Sequence, residues 1–150
     1  MGPKDTFAAK ATDQEDDAAE GCSTGITFDA GGLIALERND RRVLAIIRVA
    51  LDGDHRMVVP ATVLAQVIRN PAKQVPLWRM VQHDQTDVEP LDASHAQAVG
   101  LLLAKSCTSD IADAHVVICA QKTGQAVITS DPLDLRRLDP RLRFIPTEQL

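Results

Sequence analysis

The 150 residues suffice for one domain, and 45% apolar with 25% charged residues is the balance of a globular chain built around its own core. No apolar run reaches the roughly 18 residues of a membrane-crossing helix and no signal-peptide pattern is present, so membrane-embedded, secreted-miniprotein and collagen-like classes are excluded. The net charge of −5 is unevenly spread: residues 1–25 carry two lysines against six acids, whereas residues 26–150 carry 14 basic against 15 acidic side chains.

In chain order, residues 1–25 come first. They are rich in Ala, Asp, Glu, Ser and Thr, hold one Phe and show no apolar period. Such a segment cannot offset the entropy of ordering itself, so 1–25 is expected to be a disordered acidic extension and 26–150 the folded domain. Ile26–Asp29 reads as a short strand ending in an acid, followed by Gly31 and Gly32. A helical pattern begins at Leu33. Asp40 can cap a second helix whose Val43, Leu44, Ile46, Ile47, Ala50 and Leu51 form one apolar face, ended by Gly53. Arg56–Pro60 reads as a strand, Ala61–Asn70 as a helix stopped by Pro71, and Leu77–His83 as another helix. Val88–Leu91 is a third strand. Asp92 can cap a helix over Ala93–Lys105, and Ser109 or Asp110 one over Ile111–Lys122, with Gly124 as its stop. Gln125–Thr129 is a fourth strand, Leu133–Leu138 a helical turn and Leu142–Pro146 a last strand. Strands separated by helices of about ten residues mean βαβ units and a parallel sheet covered on both faces.

In an open parallel sheet, ligands bind outside the carboxyl ends of the strands. Asp29 and Asp131 both follow strands there, while Asp110 and Asp113 share the first turn of one helix face. Carboxylates converging on one crevice repel each other unless a cation lies between them. Mg²⁺ or Mn²⁺ suits such hard oxygen donors, keeps some waters and takes further ligands from a substrate phosphate. Asp29, Asp110, Asp113 and Asp131 are therefore the candidate metal ligands, for a site able to promote in-line displacement at phosphorus. Each acid also has a structural role open to it as helix cap or turn residue. Asp134 is a weaker candidate.

Cys22, Cys107 and Cys119 form no C-x-x-C pair and point to a reducing, cytoplasmic compartment. Cys107, His115 and Cys119 are metal-binding residue types, but the expectation is two small core hydrophobes and a surface imidazole. Without the four candidate acids, the domain holds 11 acids against 14 basic residues, a mildly basic surface suited to a phosphate backbone. Arg136 and Arg137, close after Asp131, are the candidate phosphate contacts. With few aromatics, a phosphate-backbone ligand is expected to be held by its shape and charge rather than by stacking on exposed rings.

The segments Ile26–Leu33, Val59–Val67, Ser109–Val116 and Val127–Asp131, in this order and spacing, resemble a PIN domain, and more narrowly a VapC-type toxin ribonuclease. The resemblance spans about 26–147. It implies an α/β, PIN-like three-layer fold with a short, mostly parallel sheet of four to five strands flanked by helices. It also implies a Mg²⁺- or Mn²⁺-dependent endoribonuclease cutting structured RNA such as tRNA or ribosomal RNA, a homodimer, and silencing by a cognate antitoxin. By the same resemblance, Asp29, Asp113 and Asp131 are catalytic acids and Asp110 an additional one.

Two departures stand out. The helix after the second strand carries Gln66 where the family has Glu; the amide still hydrogen-bonds a metal-bound water but brings no charge. Gln66 is thus counted as a catalytic position, with a weakened RNA- or partner-binding module as the alternative function. Ala30-Gly31-Gly32 stands where the family has a Ser or Thr soon after the first acid, which removes a minor contact. A receiver-like phosphoacceptor role for Asp29 is disfavoured, since the chain lacks the acid pair such a domain is expected to carry early and the Lys it carries after a late strand.

Overall fold

A computed structural model describes residues 25–147; the expected disorder of 1–25 therefore lies outside the described residues, apart from Gly25. The elements run β1 (Ile26–Phe28), α1 (Ala30–Glu37), α2 (Arg41–Asp52), β2 (Met57–Pro60), α3 (Ala61–Val67) and a 3-10 turn (Pro71–Lys73). They continue with α4 (Val75–Gln82), β3 (Thr86–Glu89), α5 (Ala93–Ser106), α6 (Ile111–Thr123), β4 (Ala126–Thr129), α7 (Pro132–Leu138) and β5 (Phe144–Pro146). The five strands form one sheet in the order β3-β2-β1-β4-β5, and every pairing is parallel. This is the α/β class expected from the alternation of strands and helices.

β1, β2 and β4 are buried along their whole length, so they read as continuous apolar runs rather than alternating ones. Phe28, Leu33, Met57, Val59, Leu77, Val116, Ile128 and Leu135 pack into one core. α1 lies against β1 and β4, and α6 against β1, β2 and β4. The chain leaves β1 toward β2 and β3 on one side, then returns to place β4 and β5 on the other. The reversal falls between β1 and β4, at whose carboxyl ends an open α/β sheet forms its crevice.

Several boundaries differ from the sequence reading, for local reasons. α1 begins at Ala30 because Asp29 caps it, its Oδ1 accepting from Gly32 N at 2.8 Å. α3 ends at Val67 rather than Asn70. Gln74 replaces the missing helical partners: its Oε1 accepts from Arg69 N and Asn70 N at 2.7 and 2.9 Å, and its Nε2 donates to Val67 O at 3.0 Å. β3 lies two residues earlier than expected, pairing Thr86–Glu89 with Met57–Pro60; Pro90, which has no N–H to donate, follows its last residue.

Candidate active site

The acids meet at the reversal point. Asp29 follows β1, is buried, and its backbone N–H donates to Ile128 O of β4 at 3.2 Å. Burial raises its carboxyl pKa; the Thr129 hydroxyl and the Gly32 and Gly31 N–H groups pull it back, and Asp131 pushes it up again. Thr129 also links the two strand-end acids, because its Oγ1 accepts from Asp131 N at 3.0 Å. Asp131 caps α7 through Leu133 N at 3.2 Å, and Asp110 caps α6 through Asp113 N at 2.9 Å. Both structural roles foreseen for these acids are therefore real. Three of the four carboxylates sit at helix N-termini, whose unpaired N–H groups and dipole favour negative charge.

Asp113 is different. It occupies the third position of α6 and is half-buried. Burial, then the charges of Asp110, Asp29, Asp134 and Asp131, push its pKa up to about 6. Acids from three distant segments thus lie in one another's field, and Asp134, the weaker candidate, belongs to the group. The rim is a looser assembly than a closed ligand cage. Among the described residues, the only three His, Cys, Asp or Glu side chains whose ligand atoms close to within 4.8 Å are His95, His115 and Cys119.

The donors of the rim are hard carboxylate oxygens, and burial together with their mutual repulsion opposes charge on Asp113, a set that fits a Mg²⁺- or Mn²⁺-class cation. Asp29, Asp113 and Asp131, with Asp110 beside them, are the residues able to hold one. Gln66 is exposed on α3, which packs against α1 and α6, the helices next to Asp29 and bearing Asp113. Arg136 and Arg137 are exposed in the last turn of α7, and the Arg136 guanidinium lies 5.4 Å over the Phe144 ring.

Sequence reasoning passed over Thr129 and Ser130. A Cβ on Gly31 would overlap the Ser130 hydroxyl, and one on Gly32 would stand 2.6 Å from Ile128 O. The glycines let α1 approach the end of β4, and Ser130 fills the space a side chain at position 31 would take. A hydroxyl beside the first acid, absent from Ala30-Gly31-Gly32, is supplied from across the crevice. The surface imidazole expected at 115 is a correction: His115 is fully buried, while Cys107 is exposed and apart from Cys119 and His115. Packing of α5 on α6 buries the ring, and α5 supplies His95 to the cluster instead.

The chain thus presents a parallel α/β sheet with acids gathered at its reversal point. The PIN domain family model matches residues 26–139, and the chain belongs to that family. No curated protein matches the sequence. Among solved structures, the fold is similar to VapBC2 from Rickettsia felis bound to a DNA fragment from their promoter, with a TM-score of 0.60 and 11% identity over 83% of this chain and 99% of that one. It is similar to FitAB bound to the IR36 DNA fragment, with a TM-score of 0.56 and 17% identity over 81% and 94% of the two chains. A third, FitAcB from Neisseria gonorrhoeae, gives 0.52 and 16% over 80% and 96%. At these identities the likeness is one of fold.

Proposed function

We propose that the chain is a divalent-metal-dependent endoribonuclease, the toxin of a toxin–antitoxin pair, hydrolysing phosphodiester bonds in structured RNA such as tRNA or ribosomal RNA. The observation that carries this reading is the electrostatic coupling of Asp29, Asp110, Asp131 and Asp134 to one half-buried carboxyl, Asp113. Family membership supports nuclease chemistry, and the Vap and Fit neighbours support the toxin–antitoxin setting.

Asp29, Asp110, Asp113 and Asp131 would hold a Mg²⁺ or Mn²⁺, which would supply Lewis-acid activation of water and charge neutralisation at the phosphoryl oxygens. The chain's own residues do the rest. Asp29 and Asp131, joined through Thr129, set one side of the crevice, and Asp113 with Asp110 sets the other. Gln66 orients water by hydrogen bonding, without the charge that a Glu would bring. Arg136 and Arg137 hold the RNA backbone.

The partners in this reading are the RNA, a cognate antitoxin and a second copy of the chain, in a cytoplasmic setting; among the described residues no helix is long and apolar enough to cross a membrane. Exposed Leu44 and Val49 on α2, beside a cavity of about 340 Å³ lined by Ile26, Ile46 and Ile145, give protein partners an apolar surface.

The test is incubation of the purified chain with total RNA and Mg²⁺ or Mn²⁺, followed by mapping of new 5′ ends. Metal-dependent cuts should appear with the natural chain and vanish in Asp29→Ala and Asp113→Ala. Cutting that persists in both variants would reject the assignment. RNA retention without cleavage or divalent binding would favour the weakened module that Gln66 allows.

A further inference from the structure

We propose that His95, His115 and Cys119 form a second metal site, separate from the acidic crevice, for a borderline-soft ion of the zinc class. His95 comes from α5, and His115 and Cys119 from one face of α6, four residues apart. All three are buried, at 7%, 0% and 1% exposure, and their ligand atoms lie within 4.8 Å of one another.

The independent observation concerns the imidazole nitrogens. His95 Nε2 and His115 Nε2 are both fully buried and have no hydrogen-bond partner. Leaving such atoms unpaired is costly, and two in one cluster call for a shared occupant. The opposite nitrogens are both engaged. His95 Nδ1 donates to Asp92 Oδ1 at 2.9 Å, and His115 Nδ1 pairs with Thr62 Oγ1 at 2.8 Å. An ionised carboxylate only accepts, so His95 Nδ1 carries the proton of that hydrogen bond, which leaves its buried Nε2 as the nitrogen available to coordinate. Metal-binding histidines are held in this way, with the outer nitrogen tied to a carboxylate or hydroxyl and the inner one free to coordinate.

The rings are set edge to face with centroids 5.6 Å apart. Two nitrogens and one sulfur select zinc over Mg²⁺ or Mn²⁺. Zn–N bonds of about 2.0–2.1 Å and a Zn–S bond of about 2.3 Å put tetrahedral ligand atoms roughly 3.3–3.6 Å apart. Closure therefore asks for a contraction of about 1.5 Å at most.

Binding exchanges a proton. Cys119 is a buried free thiol, so without metal it carries its proton. As the Sγ–metal bond forms, the S–H bond breaks and one proton passes to solvent. Asp92, tied to His95, then offsets the one remaining positive charge. The ion would clip α5 to α6, the helix that carries Asp113 two residues before His115.

The experiment uses the full chain, stripped of metal and titrated with Co²⁺ in place of Zn²⁺. One equivalent should produce a thiolate-to-cobalt charge-transfer band with intense tetrahedral visible bands, release one proton and disappear when Zn²⁺ is added. Cys119→Ser, which barely changes shape, should abolish the band with far-ultraviolet circular dichroism unchanged, and His95→Gln should weaken cobalt binding at least tenfold. Cys107→Ser and Asp29→Asn should leave the band intact, separating this site from the acidic crevice. A folded chain showing no thiolate band, or a band surviving Cys119→Ser, overturns the proposal. Loss of RNA cleavage alone bears on the nuclease reading and not on this site.

Discussion

The Asp131 backbone N–H donates to the Thr129 hydroxyl at 3.0 Å, and that hydroxyl in turn favours the charged form of Asp29. One side chain at the end of β4 thus joins two acids 102 residues apart in the chain. Thr129→Val keeps the shape and removes both hydrogen bonds. Loss of a supporting contact of this kind costs about 10–100-fold in metal affinity or activity. We expect Mn²⁺ affinity to fall within that range by calorimetry, and an unchanged affinity would show that Thr129 only packs.

Asp113 is a carboxylate that the metal-free fold tolerates badly, since burial and four neighbouring acids oppose its charge. Asp113→Asn removes the repulsion while keeping the shape. In chelator at neutral pH the variant should melt about 2–5 °C higher than the natural chain, and added Mg²⁺ should raise its midpoint less than it raises the natural chain's. A lower melting point in chelator would mean that the carboxylate is stabilising where it stands.

Gln66→Glu adds the charge that the family pattern carries at this position. If Gln66 faces the metal water, Mn²⁺ affinity and cleavage rate should both rise several-fold, with Asp29→Ala abolishing the gain. Identical titration and cleavage curves for Gln66→Glu and the natural chain would place residue 66 outside the chemistry.

Gly32 and Gly100 separate two uses of glycine. A Cβ at Gly32 would press on Ile128 O at 2.6 Å, whereas nothing lies within 4 Å of one at Gly100 in the middle of α5. Gly100→Ala should stabilise by about 0.5–1 kcal/mol through helix propensity alone. Gly32→Ala should destabilise and reduce cleavage, because α1 must retreat from β4 and carry Asp29 with it. Urea midpoints of the two variants moving in the same direction would contradict this geometry.

Asp139 sets an acid limit on stability. Burial alone would raise its carboxyl, but hydrogen bonds from Gln121 Nε2 at 2.7 Å and from Arg141 N and Nε at 2.9 and 3.2 Å outweigh it and hold the pKa below 3.8. A depressed carboxyl stabilises the fold above its unfolded pKa, and that contribution is lost as pH falls through the folded value. The difference in melting point between the natural chain and Asp139→Asn should therefore be large at pH 6 and shrink below pH 4. A difference that stays constant across this range would rule out a titrating role.

Much of this protein was legible from the chain because its signals are local. Asp29, Asp40, Asp92 and Asp110 each cap a helix by accepting from the backbone N–H three residues on, an interaction readable at that spacing. The strand–helix alternation likewise implied a parallel sheet, and with it the rim where Asp29 and Asp131 stand. Tertiary packing decided the rest. Which acid resists ionisation depends on burial, and Asp113 resists because α6 is pressed against the sheet while its neighbours hold the capping positions. His95 lies 24 residues before Cys119, and no spacing rule joins them; only the packing of α5 on α6 turns three unremarkable side chains into a buried cluster with two unpaired nitrogens.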